Sequence, residues 1–254
     1  MAVADSRTFE AARTSAGSFY FYMALTCVAV AFLGFLPTYF MPVAHGTFKA
    51  HPIVHIHGIV FFSWTLFFVL QSSLPARKQV PLHRALGLVG ISFVTAMTIL
   101  GILVAINQMQ SALALGMADA GKAFAIVPLS SIAFFAVVFA LAVSNLRNPE
   151  RHKRLMLLAT ISILDAPIAR WFMVLLAPPD AKGPPPVAAD AGPALVVALL
   201  LLIPIGFDWR TRGRPHPVYV IGWLCFVALK IVQFPLSATP AWHSVAGWFL
   251  GLAG

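Results

Sequence analysis

Long apolar runs, separated by short polar or proline-rich turns, set the pattern of this chain. About 20 consecutive apolar residues are enough to cross a bilayer as a helix. Seven runs approach or exceed that length: 19–40, 52–74, 83–106, 123–146, 154–176, 193–208 and 217–237. The pattern predicts an all-α fold, a polytopic transmembrane helix bundle of about seven spans that forms a single domain over 19–254. Run 193–208 is the shortest, and the count of seven depends on it.

Two segments at the ends of the chain do not fit the spanning pattern. Residues 1–18 are polar and are predicted to form a cytoplasmic N-terminal segment. The run 19–40 is longer than the apolar region of a cleaved signal peptide, about 7–15 residues, so we expect an uncleaved first span. Residues 241–253 are too short to span. They predict an interfacial helix with Trp242 and Trp248 at headgroup depth.

The basic residues alternate between the two sides of the predicted bundle. Twelve of the 17 Lys and Arg lie in alternate polar segments: Arg7, Arg13, Arg77, Lys78, Arg84, Arg147, Arg151, Lys153, Arg154, Arg210, Arg212 and Arg214. The opposite loops hold Lys49, Lys122 and Lys182. The positive-inside rule therefore predicts a cytoplasmic N-terminus and an external C-terminus. The proline-rich linker 177–193 is then external.

Composition excludes several classes of protein. Sixty per cent of residues are hydrophobic and 10% are charged, against about 25% charged in soluble domains. Membrane topology explains the net charge of +9, so the expected partner is membrane lipid and not nucleic acid. Motifs for phosphate loops, serine hydrolases and CxxC redox sites are absent from the sequence. Whether the protein is an enzyme stays open.

Three histidines stand at the outer mouth of the second run, in the sequence HPIVHIHG. Neutral imidazole is a common ligand for Zn, Cu and Fe, so His51, His55 and His57 are candidate metal ligands. Pro52 favours His51 as the helix cap instead. The alternative is that these histidines bond to neighbours or water at the interface. Arg170, from the fifth run, is predicted to reach the same level and to neutralise an anionic group of a cofactor or substrate.

A histidine also opens three returning helices on the cytoplasmic side, each beside a basic turn. These are His83, His152 and His216. One hypothesis is a ring that faces a cytosolic ligand, a lipid phosphate or a haem propionate. The alternative is that His, Lys and Arg anchor helix ends in the interface. His83 and His152 are candidate cofactor-binding residues, as are His55, His57 and Arg170.

Two ionisable residues fall in the middle of predicted spans. At 1.5 Å per residue, Asp165 lies about 16 Å and Lys230 about 20 Å from the cytoplasmic ends of their helices. Ionisable groups at such depth are rare and mark functional sites by default. The matched depths predict an intramembrane ion pair, which either joins spans five and seven or belongs to a functional polar interior.

Five motifs together carry a family resemblance. They are GFLPTYF (34–40), HIHG (55–58), LHRALG (82–87), HKRLMLLATI (152–161) and TPAWH (239–243). The chain resembles a widespread bacterial family of uncharacterised multispan membrane proteins over nearly its whole length, which implies a bacterial inner-membrane location. More distantly it is similar to transmembrane b-type cytochromes, whose paired histidines on facing helices bind haem. That resemblance implies His83 and His152 as the closest candidate pair.

Two functional hypotheses follow. The first is a redox protein in which histidines hold haem b or a transition metal and pass electrons to a redox partner. The second is a non-redox membrane protein that binds or transports a small ligand through the polar interior marked by Asp165, Arg170, Lys230 and Gln71. An absorption spectrum with metal analysis separates the two.

Overall fold

The described part of the chain is mostly helical and contains no strand. The structure is a computed structural model that describes residues 2–178 and 181–252, and side chains from residue 18 onward. Seven helical segments are long and apolar enough to cross a membrane: Ser18–Ala44, Pro52–Ala76, Val80–Ala114, Ala118–Ser144, Pro149–Leu176, Val187–Arg212 and Pro217–Ser237. The predicted all-α bundle of seven spans is confirmed, and the protein is an integral membrane protein.

The helices, including α11 after the last span, are numbered in chain order. They are α1 (Ala2–Phe35), α2 (Met41–Ala44), α3 (Pro52–Ala76), α4 (Val80–Ala114), α5 (Ala118–Phe124), α6 (Ile126–Ser144), α7 (Pro149–Ser162), α8 (Asp165–Leu176), α9 (Ala191–Arg212), α10 (Pro217–Ser237) and α11 (Pro240–Gly251). A π-helical segment, Leu36–Phe40, joins α1 to α2, and a 3₁₀ turn, Val187–Asp190, leads into α9. Helix α1 runs without interruption from the predicted cytoplasmic segment into the first span.

The π-helical segment follows from a proline inside an apolar run. Pro37 has no N–H, so the carbonyl of Leu33 loses its partner one turn earlier. The indole Nε1 of Trp171 in α8 donates to that carbonyl at 3.0 Å. Next to it, a Cβ built on Gly34 would lie 2.5 Å from Cβ of Pro167. Glycine therefore allows α1 and α8 to pack in close contact at the point where the carbonyl needs a donor.

The fifth span, predicted as one helix, is broken in the structure. Helix α7 ends at Ser162 and α8 begins at Asp165. Pro167 explains the break, because it cannot donate to the carbonyl of Ile163 and its ring crowds that carbonyl. As a result, Asp165 becomes the first residue of a half-helix inside the membrane.

The sixth span begins earlier than the hydrophobic run predicted. The segment Val187–Arg212 is continuous enough to span, although 177–193 was predicted to be an external linker. Residues 179–180 of that linker lie outside the described residues. Asp190 therefore stands at the N-terminal end of α9, buried, rather than in an exposed loop.

Aromatic side chains fill the centre of the bundle and apolar ones cover its outside. The Trp64 ring lies 5.7 Å from the Phe135 ring and 5.9 Å from the Phe139 ring. Exposed leucines cover the spans, as a lipid-facing surface requires. Helix α11 is docked by Trp242, whose Nε1 donates to the carbonyl of Lys122 at 2.7 Å. The position of α11 at headgroup depth stays a prediction.

Candidate functional site

A buried charged cluster, here called the lysine site, consists of Lys230, Asp165, Asp190, Ser131 and Gln233. Lys230 Nζ lies 2.6 Å from Asp165 Oδ2 and 3.0 Å from Asp190 Oδ2. The same ammonium donates to Ser131 Oγ at 3.0 Å, and that hydroxyl donates to Asp165 Oδ2 at 2.7 Å. At most 6% of each charged side chain is exposed. The Asp165–Lys230 contact expected from matched depths is present, with Asp190 as a third charge.

Two helix ends place the carboxylates of the lysine site. Asp165 opens α8, and its Oδ1 accepts from Ala166 N at 2.8 Å. Asp190 directly precedes α9. Helix N-termini carry a partial positive charge that stabilises nearby carboxylates. Lys230 comes from α10, an unbroken helix with Pro235 near its end. The break in span five and the early start of span six therefore bring both aspartates to one lysine.

The charges of the lysine site do not balance. One ammonium faces two carboxylates, so the site carries one net negative charge when all three groups are ionised. Gln233 Nε2 donates to Asp190 Oδ2 at 2.6 Å, whereas the buried Gln233 Oε1 has no partner among the described residues. An uncompensated charge within a membrane is costly. The site thus has both the charge and the free acceptor to take a proton or a small cation.

A second buried ion pair closes the end of the bundle where α7 and α10 begin. Arg154 donates from Nε to Asp208 Oδ2 at 2.8 Å and from Nη2 to Asp208 Oδ1 at 2.5 Å. Arg154 also donates to the Glu150 carboxylate at 2.6 Å, and the backbone N–H of His216 donates to Asp208 at 3.2 Å. These bonds join α7, α9 and α10. Lys153 pairs with Glu150 at 2.6 Å, so two basic and two acidic side chains balance, and the arrangement holds the helices together. Sequence reasoning did not pair Arg154 with Asp208, because 54 residues separate them.

Two of the three histidines that were predicted to be cytoplasmic come together. The His83 and His152 ring centroids are 6.3 Å apart, with the ring planes at 77°. His152 Nδ1 bonds to the carbonyl of Ala142 at 2.9 Å. His83 Nδ1 and both amide atoms of Gln71 are buried without a hydrogen-bond partner in the described part of the chain. His216 instead caps α10 by accepting from Val218 N at 3.2 Å.

The outer histidines make three separate contacts. His51 accepts from Ile53 N at 3.3 Å as the cap of α3, as Pro52 favoured. His55 shares a hydrogen bond of 3.0 Å with the Tyr39 hydroxyl, and His57 lies on the Phe61 ring at 4.0 Å between centroids. Within residues 2–178 and 181–252 no three His, Cys, Asp or Glu side chains form a metal-binding group. His51, His55 and His57 therefore do not fit a shared metal centre in this arrangement.

Arg170 lies on the opposite side of α8 from the lysine site. Its guanidinium is 5.2 Å from the Phe35 ring centroid and 3.9 Å from Met173 Sδ. No carboxylate of the described residues forms an ion pair with it. The level in the membrane that the sequence predicted Arg170 to share with His57 stays a prediction.

Fold and site together define a seven-span integral membrane protein with a charged interior. No family model, curated protein or solved structure matches the chain. The family resemblance carried by the motifs therefore stays a prediction, and the functional argument rests on the geometry of the site.

Proposed function

We propose that this protein binds a proton within the membrane at the lysine site and couples to proton movement, without redox chemistry. The observation that carries the proposal is the position of Lys230 between two buried carboxylates. One carboxylate balances the ammonium. The other must bind a proton or a cation to remove the remaining charge, because no further basic side chain of the described residues contacts the site.

Asp190 is the carboxylate that takes the proton. Asp165 accepts from three donors, the ammonium, the Ser131 hydroxyl and the Ala166 N–H, and it has the closer contact to Lys230. Asp190 has the longer contact to Lys230 and a contact of 2.6 Å to Gln233. The Gln233 amide oxygen has no partner among the described residues. If the Gln233 amide turns so that this oxygen faces Asp190, a protonated Asp190 donates to it.

Release of this proton couples the lysine site to proton movement, because it changes the contacts of Lys230. With Asp190 ionised, two carboxylates compete for one ammonium, and Lys230 is drawn from α8 towards the start of α9. Broken helices that meet at a polar site in the membrane are common in transporters, where half-helix ends bind the transported or coupling ion. The half-helix α8 and the early end of α9 fit that architecture.

Infrared spectroscopy of the purified protein tests the assignment. We expect the carbonyl band of one protonated carboxylic acid in the wild-type protein, loss of that band in Asp190→Asn, and about twice its intensity in Lys230→Met, where neither carboxylate keeps a counter-ion. Asp119→Asn, at an exposed acid, is the matched control and should leave the band unchanged. A band that persists in Asp190→Asn contradicts the proposal.

Proton movement is measured in proteoliposomes with an internal pH-sensitive dye. A potassium-diffusion potential should drive acidification in wild-type vesicles and in Asp119→Asn vesicles. It should drive none above the lipid background in Asp190→Asn or Lys230→Met vesicles. Equal rates of acidification in wild-type and Asp190→Asn vesicles would show that the lysine site does not take part in proton transport.

The histidine pair supports a second candidate, a b-type haem held by His83 and His152. His83 and His152 would hold the haem iron, and a ligating histidine usually donates its other ring nitrogen to a carbonyl or carboxylate. His152 makes that bond through Nδ1. When bound, the haem would supply one-electron redox chemistry. A Soret band that disappears in both His83→Ala and His152→Ala supports this candidate, and a colourless protein from haem-supplemented cells eliminates it.

A further inference from the structure

We propose that Arg170, His57 and Thr38 form a site for a phosphate or carboxylate group in the outer half of the membrane, here called the arginine site. The proposal is independent of the lysine site, because it uses a different face of α8 and a ligand of opposite charge. It begins with the missing partner of Arg170.

An arginine within a span almost always pairs with an acid or faces a polar cavity. Arg170 is only partly exposed, and no Asp or Glu in the described part of the chain pairs with it. One face of its guanidinium lies over Phe35 at 5.2 Å, and a sulfur atom lies at 3.9 Å. A cation–π contact satisfies the face of the group. Its five N–H donors still need oxygen acceptors.

Two more polar atoms at this level lack partners. His57 Nδ1 and Thr38 Oγ1 are both buried without a hydrogen bond among the described residues. Tyr39, next to Thr38, bonds to His55 Nδ1 at 3.0 Å, which brings the π-helical segment against the turn of α3 that carries His57. Thr38 lies in the π-helical segment, three residues after Phe35. This segment packs against α8. An imidazole N–H, a hydroxyl and a guanidinium are all donors. An oxyanion has enough acceptor oxygens to satisfy all three.

The depth of the arginine site fits access from outside. His57 follows Pro52, the first residue of α3, by five residues, and Arg170 precedes Leu176, the last residue of α8, by six. At 1.5 Å per residue both lie about 8–9 Å inside the helix ends. The anion therefore comes either from an outer-leaflet lipid headgroup or from a free anion in solution.

Binding is measured on the full-length protein in nanodiscs, with the intrinsic fluorescence of its six tryptophans, which include Trp171 next to Arg170, as one readout. Discs of phosphatidylcholine are titrated with inorganic phosphate and with acetate. In parallel, native mass spectrometry counts phosphatidylglycerol retained from mixed phosphatidylglycerol and phosphatidylcholine discs. Saturable phosphate or acetate binding identifies a free anion. Preferential retention of phosphatidylglycerol identifies a lipid headgroup.

Substitutions assign the binding to the arginine site. We expect Arg170→Gln to weaken whichever binding is observed by at least about tenfold, which corresponds to about 1.4 kcal/mol. Arg170→Lys should weaken it less, because the charge stays but the paired donors are lost. Lys49→Gln, at an exposed residue of the outer loop, should bind as the wild type does. His57→Gln and Thr38→Val each should weaken binding, which keeps the test valid if Arg170→Gln fails to fold.

Two results would overturn the proposal. One is wild-type protein with no response to phosphate or acetate and equal retention of the two lipids. The other is anion binding that Arg170→Gln, His57→Gln and Thr38→Val all leave unchanged, which would place the anion elsewhere.

Discussion

At the scale of single residues, the third charge of the lysine site changes what substitutions do. A simple pair of Asp165 and Lys230 would lose most stability in either single variant. Because Asp190 also contacts Lys230 at 3.0 Å, it becomes the counter-ion when Asp165 is removed. No second lysine replaces Lys230.

Lys230→Met should therefore be the most destabilising single change in the lysine site. Removing one partner of a buried pair costs about 3–5 kcal/mol, and we expect Lys230→Met to fall in that range and Asp165→Ala to cost less. Equilibrium unfolding in mixed detergent micelles gives both values. Equal costs for the two variants would mean that Asp190 does not take over as counter-ion.

The cap of α10 is expected to be sensitive to pH. Burial, with the charges of Arg154 and Arg212, lowers the pKa of His216 below its ordinary value of 6.5. The unfolded chain then takes up the proton first as pH falls. The free energy of unfolding should drop as pH falls below about 6.5, towards the lower pKa of the folded state.

His216→Asn serves as the matched variant, because asparagine can still cap the helix but does not titrate. The difference in unfolding free energy between wild type and variant should change between pH 7.5 and pH 5.5. A difference that stays constant over this range would show that His216 does not contribute to the pH dependence.

At the scale of helices, the sequence predicts that a span exists better than it predicts where the span begins or breaks. All seven spans follow from apolar runs, because a helix that is long and apolar enough is stable in a bilayer whichever helices pack beside it. The break before Asp165 was missed, since Pro167 in an apolar run is compatible with a mere kink. Asp190 was missed because its proline- and alanine-rich surroundings are typical of a linker. Its partner Lys230 lies 40 residues on, which no local pattern reveals.

The indole of Trp171 should stabilise the junction of α1 and α8. Trp171→Phe keeps a large ring but leaves the Leu33 carbonyl without its donor, and an unsatisfied group costs about 1–3 kcal/mol. We expect a loss of that size in thermal or denaturant unfolding. Trp248→Phe, at an exposed residue, is the control and should change little.

At the scale of the whole molecule, orientation remains a prediction from the loop charges. After Cys27 and Cys225 are replaced, single cysteines at Ala76 and Ala181, both exposed, should react with a membrane-impermeant maleimide from opposite faces of oriented membranes. The Ala76 site should react from the cytoplasmic face. Labelling of both from the same face would contradict seven spans.

The histidines illustrate which parts of a site a sequence can place. His83 and His152 were predicted at one level because each opens a returning helix, and their rings do lie side by side. His51, His55 and His57 adjoin in sequence but face a backbone N–H, a tyrosine and a phenylalanine. Depth follows from residue counts, whereas the direction of a side chain depends on packing against other helices.

The order of the lysine site along the chain has a consequence for biogenesis. Ser131, Asp165 and Asp190 all precede Lys230, by 99, 65 and 40 residues. Asp165 and Asp190 are therefore in the membrane, or at the translocon, without the Lys230 ammonium until the last span is made. Lys230 in turn enters a bilayer that already holds its counter-ions. Chains that end before α10 therefore leave Asp165 and Asp190 without their counter-ion.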